Sequence, residues 1–261
     1  FEWANKSLFH DLYARTQSFY DNSELSSHGR PADEIERSLL AKYPDAVPQD
    51  IMDGAHVLPK SDGSGRNRKN RRTATRLLKQ AGYVVRDKIL VNEKTGQPFR
   101  FEFVVSSREQ ERLALHFARS LKKLGIDLEV RQIDSAQMQK RRETFDFDMI
   151  EYTWYTSLSP GNEQTFYWGT AGRTRNGTRN YMGTAEPAID DLIAALLVAR
   201  DRPEFASAVR ALDRVLLAGR YVIPLYHSPT RWTARWSHLK HPAETSLYGH
   251  QLDTWWRDQN Q

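Results

Sequence analysis

The chain contains no cysteine. That excludes disulfides, thiolate nucleophiles and cysteine-based zinc sites, and it leaves both reducing and oxidising compartments open. No apolar run approaches the roughly 20 residues that a membrane-spanning helix needs. The longest, Leu192 to Val198 with its two alanines, is far too short. There is no internal repeat, no coiled-coil heptad, no GxSxG elbow and no HExxH spacing among the eight histidines. His238 and His241 stand three apart, but Pro242 breaks any helix that would turn them to one face, so no metal site is expected. An initiator methionine and an export-signal pattern are also lacking. Phe1–Tyr13 reads instead as an amphipathic helix already under way, so the expectation is an excised piece of a longer protein whose upstream partner lies outside it.

What is present is the composition of a folded domain. Hydrophobic residues make up 39% and aromatics 11%, enough for a substantial core in 261 residues and against disorder. The net charge of +5 favours solubility and weakly favours anionic partners. Its distribution is uneven: Arg66, Arg68, Lys69, Arg71, Arg72, Arg76 and Lys79 fall in a stretch without an acidic residue between Asp62 and Asp87.

Residues 18–66 look irregular, with Pro31, Pro44, Pro48 and Pro59 and a flexible Ser61–Gly65 loop; one helix is expected over 32–42. From Asn70 the pattern tightens. Ala74, Leu77, Leu78 and Ala81 recur at helical spacing and Gly82 stops the helix. Strands over 88–91 and 98–105 flank Asn92–Gly96 and predict a hairpin. A helix over 108–124, with Ala114, Phe117, Ala118 and Leu121 as its buried stripe, leads into a strand over 127–133. Strand, helix, strand at this spacing predicts a right-handed βαβ crossover. A short helix (135–143), a strand (147–152) and a long polar and aromatic loop (153–185) follow. Two helices with proline in the first turn (187–200 and 203–218) come next, then strands over 221–226 and 231–236. The tail from Leu239 has little periodicity but keeps Leu252, Trp255 and Trp256, which points to docking on something outside this chain.

Three kinds of chemistry compete for these residues. Asp146 and Asp148 share a strand face and would form the acid pair of a carboxylate-dependent hydrolase, although acidic residues at a strand entrance are more often solvated. The basic 66–79 cluster would serve a nucleic-acid-binding module, but no aromatic lies among its charges to stack a base, and a solvated helix face accounts for it. The Gly63-Ser64-Gly65 loop lacks the preceding strand and further glycine of a phosphate-binding turn. The loop Thr153–Gly169 is the better candidate. It gathers five aromatics with hydroxyls, an amide and a carboxylate just past the C-terminal end of a sheet strand, where open α/β sheets bind ligands. Its 154–157 end is expected to face ligand and its 166–168 end to pack.

Several runs are also familiar as a set. Glu111-Arg112-Leu113-Ala114, Leu121 to Val130, Arg141 and Phe145 to Ile150 resemble the C-terminal lobe of family 5 extracellular solute-binding proteins, the oligopeptide-, dipeptide- and nickel-binding group. Ser157 to Gln164, Tyr167-Trp168-Gly169, Arg179-Asn180-Tyr181, Tyr221 to Tyr226, Phe1 to Lys6 and Leu252 to Trp256 resemble its YejA-like subgroup. The resemblance implies an α/β fold, a lobe of the type II periplasmic-binding-protein kind with a mixed sheet and a helix-flanked βαβ unit. It implies a lobe over 1–238 and a tail over 239–261 that returns to an N-terminal lobe, leaving residues beyond about 240 displaced or loosely held here. It further implies a periplasmic, non-enzymatic component of an ABC importer, with no catalytic residue, metal or cofactor. Its partners would be a peptide or peptide-like solute, an inner-membrane ABC permease and the N-terminal lobe, not nucleic acid. The ligand-binding residues implied are Trp154, Tyr155, Thr156, Ser157, Asn162 and Glu163. Ser157 stands where relatives often carry an aspartate for a peptide's amino terminus, and Glu163 is the nearby carboxylate that would replace it.

Overall fold

The computed structural model describes residues 1–258. Its first helix, α1 (Glu2–Leu8), stops well short of Tyr13. His10 and Asp11 take positive φ values of 51° and 58°, and the Asn5 side chain bonds both the amide and the carbonyl of Tyr13. This local closure competes with the helix and turns the chain into β1 (Ala14–Arg15). The irregular stretch holds two short helices, α2 (Glu34–Leu40) and α3 (Gln49–Met52). The start of α2 is fixed by a reciprocal pair: Asp33 accepts from the Glu36 amide and Glu36 accepts from the Asp33 amide.

Next comes α4 (Arg68–Gln80), capped by Asn67. The stripe predicted to pack this helix on the domain does so only in part: no residue of α4 is buried and Leu77 is 50% exposed. The hairpin also differs from expectation. β2 (Tyr83–Arg86) pairs antiparallel with β3 (Ile89–Asn92) across Asp87 and Lys88, both at positive φ as a tight two-residue turn requires. The Asn92–Gly96 turn forms as well, with Asn92 Oδ1 accepting from the Lys94 and Thr95 amides, but only a short ladder follows it (Val91 opposite Pro98, Phe99 N–H to Leu90 O). The chain then leaves as β4 (Arg100–Val105), because both edges of that strand are taken by parallel partners.

The βαβ crossover is as expected. β4, α5 (Arg108–Lys122) and β5 (Asp127–Gln132) give a parallel pair in register from Arg100–Asp127 to Val105–Gln132. Ala114 is fully buried, and Phe117, Ala118 and Leu121 pack over Phe103, Val105 and Leu128. Gly125 sits at φ +83° before β5, and a Cβ there would meet Leu90 N at 2.7 Å, which only glycine avoids. After α6 (Ser135–Thr144), the other edge of β4 receives β6 (Met149–Ile150). The expected 147–152 strand shrinks to these two residues partly because the Asp148 carboxylate, not a backbone carbonyl, accepts the Glu102 amide at 2.9 Å. The sheet order is β5-β4-β6, all parallel, and the antiparallel pairs lie in separate ribbons, so the α/β class stands while the sheet itself is not mixed.

The 153–185 loop contains one more short helix, α7 (Glu163–Trp168). α8 (Pro187–Val198) and α9 (Arg202–Gly219) then form the larger core with the irregular segment, joining Tyr20, Leu25, Leu40, Val47 and Ile51 to Ile189, Leu192, Val209 and Leu212. Two adjacent, fully buried charges on α9 hold that segment down. Asp213 accepts from Ser18 Oγ, the Phe19 amide, the Ser27 amide and Ser27 Oγ at 2.6–2.9 Å. Arg214 donates to Glu36 at 2.6 Å and to the carbonyls of Ile51 and Arg30.

Of the two late strands expected, only β7 (Tyr226–His227) forms, antiparallel to β1. Residues 231–236 find no strand partner, and Trp232 and Trp236 stay 86% and 75% exposed. The tail makes its own ribbon, β8 (Leu239–Lys240) against β9 (Trp256–Arg257), apart from the parallel sheet. Residues 259–261 of the expected tail lie outside the described residues.

Candidate functional site

β6 ends beside β4 with its carboxyl end running into the aromatic loop, as the sheet rule for ligand sites requires. Trp154 is half-buried there, in ring contact with Tyr152 (4.9 Å between centroids), Trp168 (5.3 Å) and Phe19 (6.3 Å). Its indole N–H is buried and finds no hydrogen-bond partner among the described residues. The floor beneath it is rigid. Gln164 Oε1 accepts from both Tyr20 Oη and Trp168 Nε1 at 2.7 Å, and all three residues are buried. Phe19 is fixed through its amide to Asp213.

The rest of the predicted set is spread around this ring. Tyr155 is 88% exposed, and Thr156 and Ser157 are exposed too. Ser157 Oγ accepts the Ser159 amide at 3.1 Å. The loop is tied at Leu158, whose amide donates to Tyr248 Oη of the tail and whose carbonyl accepts from Arg202 of α9. Asn162 and Glu163 open α7, while Trp168 closes it about 7.5 Å further along the axis. Glu163 turns back on its own loop. Burial works against its charge, but hydrogen bonds from the Gly161 amide (2.8 Å) and the Gln164 side chain (3.1 Å) outweigh it and hold the carboxyl below its ordinary range.

A different carboxylate is left without a partner, one that the sequence pattern did not single out. Glu151, the residue directly after β6, has a buried Oε2 and no hydrogen bond or ion pair to its carboxylate among the described residues. Burial pushes its proton affinity up, the larger effect, and the charge of Arg142 of α6 opposes it. Arg142 does not close the pair: one donor goes to the Glu151 backbone carbonyl at 3.3 Å, the guanidinium lies over the Tyr152 ring, and its buried Nε is itself unpartnered among the described residues. One phenol, that of Tyr226, lies near enough to feel the Glu151 charge. The Tyr226 phenol is pushed up to about 12 by burial and then by Glu151 and Tyr13, so it stays neutral. Tyr226 and Tyr13 stand 4.7 Å apart in a cluster with Phe9 and Phe1. On the opposite flank a cavity of ≈ 580 Å³ is lined by Lys140, Arg142, Tyr152, Phe166, Arg179 and Tyr181.

The pH dependence of Glu151 follows from its direction. A carboxyl that binds its proton more tightly when folded stabilises below the unfolded value, ordinarily 4.5, and that stability is lost as pH rises through the raised folded value. Glu151→Gln should therefore match wild type in thermal midpoint near about pH 4 and exceed it near about pH 7. Equal midpoints at both pH values would show that Glu151 is solvated.

The rival sites do not assemble. Asp148 is held by the Glu102 amide, and Asp146 is 73% exposed beside Arg141, which pairs chiefly with Glu102. The seven basic residues of 66–79 are all exposed on or just before α4, with no ring contact. Among the described residues no three histidine or acidic side chains converge to hold a metal ion.

Residues 23–177 match the family described as bacterial extracellular solute-binding proteins, family 5 Middle. A binding protein of Brucella suis biovar 1 is 51% identical over 98% of the chain, and the chain spans 42% of that protein's length. The peptidoglycan-binding protein YepA of Agrobacterium fabrum is 40% identical over the same share, again 42% of its length. The oligopeptide-binding protein AppA of Bacillus subtilis, solved with a nonapeptide, superposes on 90% of the chain and 46% of its own, with a TM-score of 0.56 at 16% identity.

Proposed function

The chain belongs to the bacterial extracellular solute-binding proteins of family 5, and from that membership we propose that the whole protein captures oligopeptides or peptide-like solutes in the periplasm for an ABC-type importer. The family binds and transports; it is not a family of enzymes. The observation that carries the solute class is Trp154. Its unpartnered indole N–H, on a rigid aromatic floor at the carboxyl end of β6, offers a donor for a backbone carbonyl and a ring face for a side chain. A relative named for peptidoglycan binding points to the same chemistry, since peptidoglycan carries short peptides.

In this reading the chain supplies one wall of a cleft and an N-terminal lobe supplies the other. Trp232, Trp236, Leu247, Leu252 and Trp256, all more than half exposed, are the surface that the second lobe would cover. Closure of the two lobes then delivers the loaded protein to an inner-membrane permease. The 154–157 strip and the Asn162–Glu163 turn line the mouth of the cleft, and Glu163, its Oε1 engaged by Gly161 and Gln164, shapes the turn.

The test is thermal unfolding of the full-length protein with trialanine, a peptidoglycan stem tripeptide, a trisaccharide and a nickel–histidine chelate. At a hundredfold excess over the dissociation constant a ligand of the native state stabilises by ~2.7 kcal/mol. A tripeptide should raise the midpoint, and Trp154→Ala should weaken that peptide at least tenfold, ~1.4 kcal/mol. A shift with the saccharide or the chelate alone would overturn the peptide assignment.

A further inference from the structure

Unpaired polar atoms in a folded interior are few, and each needs a physical reason. Four of those in this chain lie along one connected path. Arg15 Nε and Gln17 Oε1 belong to β1 and the residues just after it. Arg15 is the register partner of Tyr226 on β7. Tyr226 lies near enough to feel the charge of Glu151, whose Oε2 is the third such atom, and Trp154 Nε1, three residues on, is the fourth. Phe19, two residues beyond Gln17, closes the path by touching the Trp154 ring. Arg15 is already engaged with Glu2 and with the Pro59 carbonyl, and Trp154 and Gln17 offer neutral groups. Glu151 is therefore the full charge on this path without a partner.

We propose that Glu151, with its buried Oε2 unpartnered and the Tyr226 phenol near it, receives a positively charged group of the captured solute, an ammonium or a guanidinium. This rests on the solute-binding reading above and adds a charge preference to it. The chemistry is complementary on each side. A carboxylate held out of water is costly when alone and strongly favours a cation that reaches it. Aromatic faces add attraction for that cation in a partly dry site. The cation that could have neutralised Glu151 from within, Arg142, lies instead over Tyr152 with one donor on the backbone carbonyl. The Glu151 carboxylate makes no hydrogen bond or ion pair among the described residues, which separates it from Asp213, Glu36 and Glu102, each anchored by several donors. The position, one residue past a parallel strand and three before Trp154, sets the cation beside the peptide donor and not at a remote patch.

The experiment is calorimetric titration of the full-length protein with two matched pairs: trialanine and its N-acetyl form, and Ala-Lys-Ala and its Nε-acetyl-lysine form. Wild type should prefer the charged member of at least one pair by tenfold or more. Glu151→Gln should reduce that preference to within about twofold, leave the acetylated members bound as before, and keep or raise the unliganded midpoint. Tyr226→Phe, which retains the ring, should keep most of the preference. Two results overturn the assignment while leaving peptide capture intact: wild type binding both members of both pairs equally, or the preference surviving in Glu151→Gln. A lower unliganded midpoint in Glu151→Gln would overturn it as well, by giving that carboxylate a structural role. Failure of all four probes to bind wild type would overturn the peptide reading and this assignment together.

Discussion

Arg214→Met should destabilise the full-length protein by ~3–5 kcal/mol, the loss expected when one partner of a buried ion pair is removed. Arg214 is fully buried in α9 and Glu36 is 1% exposed, so the abandoned carboxylate could not reach water. Burial already raises the proton affinity of Glu36, and the Arg214 hydrogen bond is the chief force opposing it. The nearest substitute, Arg210, stands 3.9 Å away and is already turned toward Asp33 at 3.4 Å. The carbonyls of Ile51 and Arg30 would lose their donor at the same time. Urea unfolding measures the loss, and a change below ~1 kcal/mol would mean that the segment carrying α2 and α3 is held by packing alone. The double change Arg214→Met with Glu36→Met should recover at least ~1 kcal/mol of it, since a buried pair is often replaced by apolar groups at little cost. The two carbonyls left without a donor keep the recovery incomplete.

That anchor shows where the sequence is legible and where it is not. The βαβ unit, α8 and α9 are readable because their apolar residues repeat at the period of the element that buries them. Ala114, Phe117 and Leu121 are in the core for the reason that predicts them. Residues 18–66 carry no such period. They are placed by side-chain contacts to α9 across 178 residues of chain in the Glu36–Arg214 case, which no local pattern announces. The 231–236 run alternates as a strand would, yet it pairs with neither open edge of the parallel sheet, β5 or β6, and local alternation does not say which edge a strand joins. In the site, the aromatic loop and Trp154 are visible in composition. Glu151 is not, because its character lies in what fails to meet it, and an ordinary Ile-Glu-Tyr at a strand end says nothing about that. Glu163 shows the reverse: it is conspicuous in the sequence, and its Oε1 is engaged by its own loop.

The second large effect belongs to the neighbouring residue and reaches the site. Asp213→Ala should destabilise by ~3 kcal/mol or more, because four buried donors, two of them backbone amides, lose their acceptor together at ~1–3 kcal/mol each before relaxation. Ser18 and Phe19 sit at one end of that array and Ser27 at the other, so this carboxylate pins both ends of the loop to α9, while Arg202 and Arg210 hold its middle at Glu24. Phe19 packs edge-on against Trp168 at 5.3 Å and touches Trp154. Releasing it removes one wall of the aromatic floor. The variant should accordingly bind peptide several-fold more weakly, although Asp213 lies outside the cleft, and the loss should appear as faster release, because the donor on Trp154 remains but is no longer held in place. Asp213→Asn sharpens the argument. It keeps the volume and one acceptor oxygen, so it should retain more stability than the alanine variant, yet its amide nitrogen must face a donor and cannot serve both Ser27 and Phe19. If Asp213→Ala unfolds at the wild-type urea midpoint, or releases peptide at the wild-type rate, α9 does not position Trp154 and the floor is set by Gln164 and Trp168 alone.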